Sequence, residues 1–416
     1  MLTVAEAWEA IERVVTPLPR QRVPLAESLG LVLAENAMAD LDSPPFDKAL
    51  MDGYAVRAAD VATLPARLKI TEEVLAGQVS PRGLGTGDAI RIMTGAPLPA
   101  GTDLVIPVEQ TSVEGDSVLL QPPAVAVGKN VLRKGESTRR GDTVLTAGRV
   151  IRAVEVGCLA ELGQHSVAVH RAPRIAVLAT GDELVPVSER PGPGQIRNSN
   201  EAMLVAQLRQ AGYQAFSLGI ARDNQADLRQ KIAQGLEYDV LVLSGGVSAG
   251  KVDLVPLALA EAGVEAIFHK VKIRPGAPLW FGRLDRSRPA NQSALPSSLN
   301  SSRPNTWVFG LPGNPVSSLV CCELFVKAAL RRLSGLEACR PEAFHAQLHK
   351  PHFNGGQRPT YHPARLSQGP SGPVVETVRW IGSADLSATA AANGMIAFET
   401  PNREYPAGEW VAVYRW

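Results

Sequence analysis

Apolar residues change their spacing along the chain, and each spacing predicts a different kind of element. Residues 2–15 repeat apolar side chains at helical intervals, which predicts one amphipathic helix. From about residue 44 to 138, short apolar runs alternate with turns rich in Gly, Pro and Asp, which predicts an all-β insert. Residues 140–171 return to turn, helix and strand, so we expect them to pack with the N-terminal segment as a discontinuous domain.

Apolar runs of strand length alternate with helical segments in residues 172–333. Residues 174–179 and 239–243 are two such runs. The alternation predicts a three-layer α/β/α domain with a mostly parallel sheet. Residues 286–306 are rich in Ser, Pro and Asn, which predicts a flexible insertion between two strands. After about residue 340, strand-like runs with frequent Gly and Pro predict a C-terminal β domain.

These patterns together predict a multidomain α/β plus β protein, and a chain of 416 residues is too long for one ordinary domain. We expect a discontinuous mixed α/β domain at residues 1–43 and 139–171, an all-β inserted domain at 44–138, an α/β domain at 172–335 and a C-terminal β domain at 336–416.

Composition narrows the classes of partner. The formal net charge of +1 gives no electrostatic reason to expect nucleic acid as a partner. The N-terminus lacks the form of a signal peptide and no apolar run is long enough to span a bilayer, so we expect no membrane partner and a cytoplasmic location. The 4 Cys fit neither a disulfide framework nor a metal site, and we interpret the adjacent Cys321 and Cys322 as buried free thiols.

Residues 42–57 carry three carboxylates, Asp42, Asp47 and Asp52, where a core strand would be apolar. A Pro-Pro pair stiffens the backbone before Asp52, and we expect Gly53 to allow a tight reversal after it. This predicts that the Asp52 carboxylate lies at the tip of a stiff loop, where it would meet a ligand or a metal. An ordinary surface Asp-Gly turn is the alternative interpretation.

Three unusual loops follow predicted strands of the α/β domain, and ligands of open parallel sheets bind at the carboxyl ends of strands. The loops are residues 180–184 with Asp182 and Glu183, residues 244–250 and residues 311–317. A Gly-rich loop with hydroxyl groups exposes backbone N–H groups that bind phosphate, and carboxylates beside it favour a Mg²⁺-assisted reaction on a phosphorylated ligand. Taken singly, each loop is equally compatible with a structural role. The loops lack the motifs of a P-loop or a dinucleotide fold, which argues against an ATPase or a dehydrogenase.

Six motifs stand in order along the chain. They are Met51-Asp-Gly-Tyr-Ala-Val, Arg91-Ile-Met-Thr-Gly-Ala-Pro-Leu-Pro, Arg133-Lys-Gly-Glu, Thr180-Gly-Asp-Glu-Leu, Ser244-Gly-Gly-Val-Ser and Gly310-Leu-Pro-Gly-Asn-Pro-Val-Ser. Together they resemble the molybdopterin molybdenumtransferases, the bacterial MoeA family, to which the E domain of gephyrin is similar. The resemblance covers nearly the whole chain and is weakest after about residue 340.

The resemblance implies a homodimer of elongated four-domain subunits, in which the molybdopterin-binding α/β domain of one subunit and the all-β domain of the other share an active site. It implies that adenylated molybdopterin and molybdate are the substrates, that AMP is released, and that Mg²⁺ is the cofactor. The motifs assign catalytic roles to Asp52, Thr94, Glu183, Asp223 and Asp253, and metal binding to Glu183 and Asp253. They assign substrate binding to Ser244, Gly245, Gly246, Ser248, Lys270, Arg274, Pro312, Gly313, Asn314, Pro315, Ser317 and Ser383. A turn role for Thr94 and a helix cap for Asp223 are the structural alternatives.

The chain departs from the usual family pattern at three positions. Ala277 stands in place of a Lys, Pro363 in place of an Arg, and Ser137 in place of a carboxylate. The two cations help bind molybdate in the family, and each loss would cost about 1–3 kcal/mol of binding free energy unless a neighbour such as Arg365 compensates. A divergent paralogue that binds molybdopterin as a carrier or assembly partner is therefore one alternative, and an enzyme that uses tungstate is another.

Overall fold

A six-stranded mixed sheet forms the centre of the α/β region in the computed structural model, which describes residues 1–247, 254–286 and 304–416. In spatial order its strands are Gln214–Ala221, Arg174–Thr180, Val240–Ser244, Thr306–Leu311, Trp280–Leu284 and Val264–His269. The first four strands are parallel and the last two are antiparallel to their neighbours. The sequence pattern does not predict this antiparallel edge. It arises because the loop between the last two strands carries no helix that would return the chain for parallel pairing.

Alternate residues of these strands belong to two apolar cores on opposite faces of the sheet. Ile175 and Val177 lie in the first core, whereas Ala176 and Leu178 lie in the second. Helices Ser199–Gln210, Pro315–Cys321 and Lys327–Leu333 contribute side chains to the first core, and helices Gln225–Gly235 and Leu254–Glu261 contribute to the second. None of the helices in the described parts of the chain combines the length and apolar character that a bilayer crossing requires.

The N-terminal helix Val4–Val14 packs on the α/β region. A capping box fixes its start, because Thr3 Oγ1 accepts from Glu6 N at 3.2 Å and the Glu6 carboxylate accepts from Thr3 N at 2.7 Å. The buried face of the helix joins the first core, and Trp8 Nε1 donates to Leu324 O at 2.7 Å. The predicted amphipathic helix is therefore present, and its apolar face is covered by the helices behind the sheet.

Residues 20–38 and 143–170 fold together although they are far apart in sequence. Strand Arg20–Pro24 pairs with Ser166–His170, and Ala37–Met38 pairs with Thr143–Leu145. Helix Ala153–Glu161 packs beside these strands, with Leu159 in their shared core.

Between these two segments the chain forms a curled six-stranded sheet, and residues 44–138, all of them described, contain no α-helix. In spatial order the strands are Leu104–Pro107, Gly53–Val56, Asp88–Ile92, Ala66–Val74, Ser117–Leu120 and Thr111–Glu114. The short strands Lys48–Ala49 and Val131–Leu132 pair beside it. The turn-rich pattern predicts this all-β character, whereas the strand order depends on non-local pairing.

The C-terminal region is a closed five-stranded barrel. Its strands, in order around the barrel, are Phe344–Leu348, Gly372–Thr377, Thr360–Gly369, Gly394–Phe398 and Trp410–Arg415. A separate pair, His352–Asn354 with Arg403–Tyr405, and the short helix Leu386–Thr389 complete the region. Closure leaves no open strand edge, and it depends on the first strand meeting the last.

The helical run from Pro315 is interrupted by a π-helical turn at Cys322–Val326. Cys321 and Cys322 are buried and unpaired, which confirms the interpretation of these residues as free thiols. Burial raises the pKa of both thiols well above the usual value. Because the thiolate is the reactive form, the two side chains serve as packing groups.

Two histidines pack into an aromatic cluster in the C-terminal region. His352 stacks on Phe398 with ring centroids 4.2 Å apart, and His362 meets the edge of His352 at 5.1 Å and of Trp380 at 5.0 Å. Burial lowers the pKa of His362 to about 4. The imidazole is therefore neutral in the folded protein at physiological pH.

Acidification is expected to destabilise this region through His362. The unfolded chain takes up the proton near pH 6.5 and the folded chain only near pH 4, so the stabilisation is complete above pH 6.5 and is lost as the pH falls towards 4. The loss amounts to about 3 kcal/mol. We expect His362→Gln to flatten the decline of the thermal unfolding midpoint over this pH range, whereas His345→Gln, at an exposed position, leaves the decline unchanged. An unaltered pH dependence in His362→Gln would contradict the burial of a neutral imidazole.

Candidate active site

A cavity of about 670 Å³ opens at the carboxyl ends of the central parallel strands. The chain order reverses at this point, because strand Arg174–Thr180 lies between Gln214–Ala221 and Val240–Ser244, the next two parallel strands in sequence. Connections that leave in opposite directions open a crevice between the strand ends. The loops that follow Arg174–Thr180, Val240–Ser244 and Thr306–Leu311 line this crevice.

Eight of the residues that the sequence analysis assigns to the site line this cavity. They are Glu183, Asp223, Ser244, Gly245, Gly246, Gly313, Asn314 and Pro315. Acidic residues and a Gly-rich loop therefore share one space, as the placement of the three loops predicts.

Gly245 and Gly246 are required by both their conformation and their surroundings. Their φ angles are +99° and +65°, which side chains of L-residues rarely adopt. A Cβ atom at Gly245 would lie 2.6 Å from Thr180 O, and one at Gly246 would lie 2.6 Å from Val255 Cγ2. Any larger residue would displace the cavity wall, so these glycines do more than form a common turn.

Thr180 is a residue of the cavity wall that sequence reasoning did not single out. The residue lines the cavity and is only 4% exposed. Within the described ranges its Oγ1 has no hydrogen-bond partner. A buried hydroxyl group without a partner costs free energy, and this one lies beneath the glycine loop, because a Cβ atom at Gly245 or Gly246 would lie 3.0 Å from it.

Backbone hydrogen bonds fix the acidic loops. Asp182 Oδ1 accepts from Asp223 N at 3.1 Å, which joins the loops after two adjacent strands. Ile196 N donates to Glu183 O at 2.8 Å, and Leu184–Val185 forms a short parallel pair with Ile196–Arg197. Glu183 and Asp223 are thus held by neighbouring backbone groups at the cavity.

The helix cap proposed as the structural alternative for Asp223 is wrong. Helix Gln225–Gly235 is capped by Asn224, whose side chain accepts from Asp227 N at 3.0 Å. Asp223 precedes the cap and lines the cavity instead.

The donor set at this cavity fits Mg²⁺. This ion binds proteins through one or two carboxylates and completes its octahedral shell with water and substrate phosphate oxygens. Glu183 and Asp223 provide two carboxylates. In residues 1–247, 254–286 and 304–416, three or more His, Cys, Asp or Glu side chains nowhere form a group that could hold a metal ion. Two other assigned residues, Asp253 and Ser248, lie outside the described residues.

Asn200 joins two of the cavity loops and was missed by sequence reasoning. Its Nδ2 donates to Ser244 Oγ at 2.8 Å and to Gly313 O at 2.6 Å. Asn-Ser-Asn before a helix is typical of an N-cap, and that role belongs to Asn198, which accepts from the backbone N–H three residues on. A cap needs only the first Asn, so the second Asn of Asn-Ser-Asn is the sequence signal that could have identified Asn200 as a site residue.

Five assigned substrate residues do not line the cavity. They are Lys270, Arg274, Pro312, Ser317 and Ser383. Lys270 and Arg274 lie on the loop between the two antiparallel edge strands, which are added beyond Thr306–Leu311. Arg274 lies against the barrel, because its backbone N donates to Pro359 O at 2.8 Å and its Nη1 to Gly355 O at 3.2 Å.

The C-terminal barrel region provides part of the cavity wall through Ala384 and Leu386. Ser383 connects this wall to the α/β region, because its Oγ accepts from Asn314 Nδ2 at 2.9 Å and its carbonyl accepts from Val316 N at 3.0 Å. Ser383 therefore contacts the site through Asn314. Ser317, which follows Val316, is buried and does not line the cavity.

Asp52 and Thr94 come together at a different place. Asp52 Oδ1 accepts from both Thr94 N and Thr94 Oγ1 at 2.7 Å. The hydrogen bond from the Thr94 backbone lowers the pKa of Asp52, so the exposed carboxylate is ionised at neutral pH. The pair belongs to the curled sheet, and neither residue lines the cavity.

The other two carboxylates of this segment hold a neighbouring loop. Asp42 accepts from Arg140 N at 2.9 Å, and Asp47 accepts from Lys134 N at 2.8 Å and from Arg133 Nη1 at 2.6 Å. Their backbone partners lower the pKa of each. We therefore assign Asp42 and Asp47 structural roles.

The expectation of a tight reversal at Gly53 is wrong. Gly53 begins the strand Gly53–Val56, and its φ lies outside the left-handed region. A Cβ atom there would collide with Ile106 O on the adjacent strand, so close approach of two backbones is what requires glycine. The bend that exposes Asp52 comes from the residues before the strand.

Known proteins match the chain over its whole length. Models described as MoeA N-terminal region (domain I and II), probable molybdopterin binding domain, and MoeA C-terminal region (domain IV) match residues 2–163, 176–332 and 345–416. A curated molybdopterin molybdenumtransferase from Staphylococcus aureus (strain COL) is 32% identical, with 97% of this chain and 94% of the relative covered. The chain belongs to the MoeA family.

Other members of the MoeA family agree with this assignment. A molybdopterin molybdenumtransferase from Staphylococcus epidermidis is 32% identical, with 99% of this chain and 95% of the relative covered. The crystal structure of the molybdopterin biosynthesis moeA protein from Pyrococcus horikoshii OT3 superposes with a TM-score of 0.81 at 27% identity and covers 100% of both chains. A second crystal structure of the Pyrococcus horikoshii moeA protein superposes with a TM-score of 0.78 at 30% identity, with 100% of this chain and 99% of the other covered. The resemblance inferred from the six motifs is confirmed.

Proposed function

We propose that this chain inserts molybdate into adenylated molybdopterin and releases AMP in a Mg²⁺-dependent reaction of molybdenum cofactor biosynthesis. One observation carries the proposal. Two acidic residues and a Gly-rich loop line a single cavity, in a chain that matches curated molybdopterin molybdenumtransferases over nearly its whole length.

The cavity suits a ligand of this kind in size and chemistry. Small-molecule sites commonly enclose about 300–1,000 Å³, and this cavity encloses about 670 Å³. The backbone N–H of Gly245 donates to Leu311 O at 3.0 Å and fixes the loop, so the backbone N–H of Gly246 is the group that would bind a phosphate oxygen. Bound Mg²⁺ would neutralise phosphate charge, with Glu183 and Asp223 beside it and Asp253 as a further ligand.

The proposed assembly is a homodimer in which Asp52 and Thr94 act at the cavity of the partner. Within one chain neither residue lines the cavity. Phe46, Leu50 and Met51 next to Asp52 are 41%, 45% and 40% exposed, an apolar surface that a second copy would cover. A two-fold contact would create two equivalent sites, each with residues from both chains.

The proposed domain division follows the sequence analysis: residues 1–43 with 139–171, 44–138, 172–335 and 336–416. The pairing of Arg20–Pro24 with Ser166–His170 supports the discontinuous domain. Two cores on opposite sheet faces support a three-layer arrangement for the α/β domain. Four unpaired cysteines suit a cytoplasmic enzyme.

The test is an assay with pure protein, adenylated molybdopterin, Mg²⁺ and molybdate. We expect release of AMP and formation of active cofactor, and we expect both to stop when Mg²⁺ is removed by a chelator. AMP release that stays at the level of a protein-free control would overturn the proposal.

A carrier or assembly partner that binds molybdopterin is the second candidate, and the uncharged residues Ala277 and Pro363 favour it. Pro363 is buried on a barrel strand, while Arg365, two positions on, shares its strand face and is exposed. A cation therefore remains close to the altered position. Turnover that saturates with molybdate would exclude the carrier, and pterin binding without turnover would support it. Competition between tungstate and molybdate in the same assay would decide which oxyanion is used.

Asn200→Asp is expected to weaken pterin binding because it removes both amide donors and brings a carboxylate towards Gly313 O. The KM for adenylated molybdopterin should rise about tenfold or more, with a smaller change in the thermal midpoint. Steady-state kinetics measures this, with Asn402→Asp at an exposed turn as the control. An unchanged KM would remove Asn200 from the site.

A further inference from the structure

The side chain of Arg222 bridges two backbone carbonyls of the acidic loop, residues 180–184. Its Nη1 donates to Asp182 O at 3.2 Å and to Leu184 O at 2.9 Å, the carbonyls on either side of Glu183. The carbonyl of Glu183 itself accepts from Ile196 N at 2.8 Å. Three successive carbonyls of the loop are therefore held, and two of the three hydrogen bonds come from one guanidinium group.

The backbone of Arg222 is anchored independently of its side chain. Arg222 N donates to the carboxylate of Asp227 in the first turn of helix Gln225–Gly235 at 2.7 Å. The next residue, Asp223, donates its backbone N–H to Asp182 at 3.1 Å. The helix thus carries the guanidinium group to the acidic loop and at the same time brings Asp223 to the cavity.

Charge explains why an arginine suits this position. Asp182, Glu183 and Asp223 lie on two adjoining loops, and their carboxylates repel one another. A half-buried guanidinium group offsets part of this repulsion, and its planar Nη1 donates to both carbonyls in a fixed orientation, whereas the ammonium group of lysine rotates freely at the end of a flexible side chain.

We infer that Arg222 is a positioning residue for the proposed reaction, because it holds the backbone on both sides of Glu183 so that this carboxylate stays at the cavity. The inference rests on the proposed function and adds to it a residue that contacts neither substrate nor metal. Residues that orient ligands in this way affect metal affinity or activity about 10- to 100-fold when they are replaced.

Arg209 provides a matched control. Both arginines line a second cavity of about 610 Å³ beside helix Ser199–Gln210. The guanidinium group of Arg209 also donates twice to a backbone carbonyl, to Ala215 O at 3.1 and 2.9 Å, but Ala215 lies outside the acidic loop. A purely structural role would give similar results for the two arginines.

The experiment compares Arg222→Ala, Arg222→Lys and Arg209→Ala in the full-length protein. Hydrogen exchange without substrate should be about tenfold faster in peptides that contain residues 181–185 or Ile196 for both Arg222 variants, and unchanged there for Arg209→Ala. In the AMP-release assay, the half-saturating Mg²⁺ concentration should rise about 10- to 100-fold for the Arg222 variants. Added guanidinium ion should restore part of the activity of Arg222→Ala.

The outcomes separate this inference from the proposed function. A wild-type protein that releases no AMP overturns the proposed function, and the exchange data then still decide the role of Arg222. Wild-type exchange and wild-type Mg²⁺ dependence in the Arg222 variants would overturn the inference. The same loss in Arg209→Ala would also overturn it. If Arg222→Ala does not fold, the comparison of Arg222→Lys with wild type provides the same two measurements.

Discussion

Asp52→Asn is expected to lower kcat at least about 100-fold while the fold is retained. The substitution keeps the shape of the side chain and an Oδ1 that accepts from Thr94, so the hydrogen bonds that position the residue survive. It removes only the negative charge, which the Thr94 backbone stabilises by lowering the pKa of Asp52. Asp52→Ala should abolish turnover as well and would in addition lose the contact with Thr94.

The measurement is the initial rate of AMP release at saturating substrate, together with circular dichroism and the thermal midpoint. Asp116→Asn is a suitable control, since Asp116 is exposed in a turn of the same curled sheet and its carboxylate accepts only from the neighbouring Ser117 among described residues. A normal rate in Asp52→Asn would remove Asp52 from the mechanism.

A mixture of two inactive variants tests whether Asp52 acts on the partner subunit. If each active site is shared between subunits, a mixed dimer of Asp52→Asn and Glu183→Gln has both substitutions in one of its two active sites and neither substitution in the other. Random mixing should then restore about a quarter of the wild-type activity, because about half of the dimers are mixed and each has one intact site. A mixture that stays inactive would place Asp52 and Glu183 in the same chain's site.

Gly245→Ala is expected to cause the largest loss among substitutions in the phosphate-binding loop. The new Cβ would lie 2.6 Å from Thr180 O, in a residue whose φ of +99° already disfavours any side chain. The free energy of unfolding should fall by about 1–3 kcal/mol, and pterin binding should be lost because the loop moves away from the strand end.

Gly212→Ala separates the effect of the close contact from the effect of the backbone angle. Gly212 has a φ of +87°, similar to that of Gly245, but a Cβ there would meet no atom within 4 Å. Thermal unfolding and pterin titration of both variants should show a modest loss of stability in Gly212→Ala with normal binding, and a larger loss with failed binding in Gly245→Ala. Equal effects in the two variants would contradict the requirement for close packing against Thr180.

The sequence by itself determined the features that depend on local patterns. Apolar spacing identified the N-terminal helix, the all-β insert and the alternating strands and helices, because the periods of strands and helices are properties of short segments. The rule that ligands of parallel sheets bind beyond the strand ends correctly placed three loops at one cavity, and seven of the eight assigned residues that line it lie on these loops. The eighth, Asp223, was assigned through the family resemblance alone. The order of the six motifs identified the family without any information on tertiary contacts.

Only the tertiary structure decided the features that depend on residues distant in sequence. The antiparallel sheet edge and the closed barrel follow from strand pairing, which no local period specifies. The hydrogen bonds of Asn200 and Arg222 reach loops far along the chain, and their own neighbours in sequence resemble ordinary helix starts. The expectation for Gly53 was wrong because glycine is required there by the close approach of a second strand. The separation of Asp52 from the cavity has the same origin, since the fold places the curled sheet and the α/β crevice in different regions of one chain.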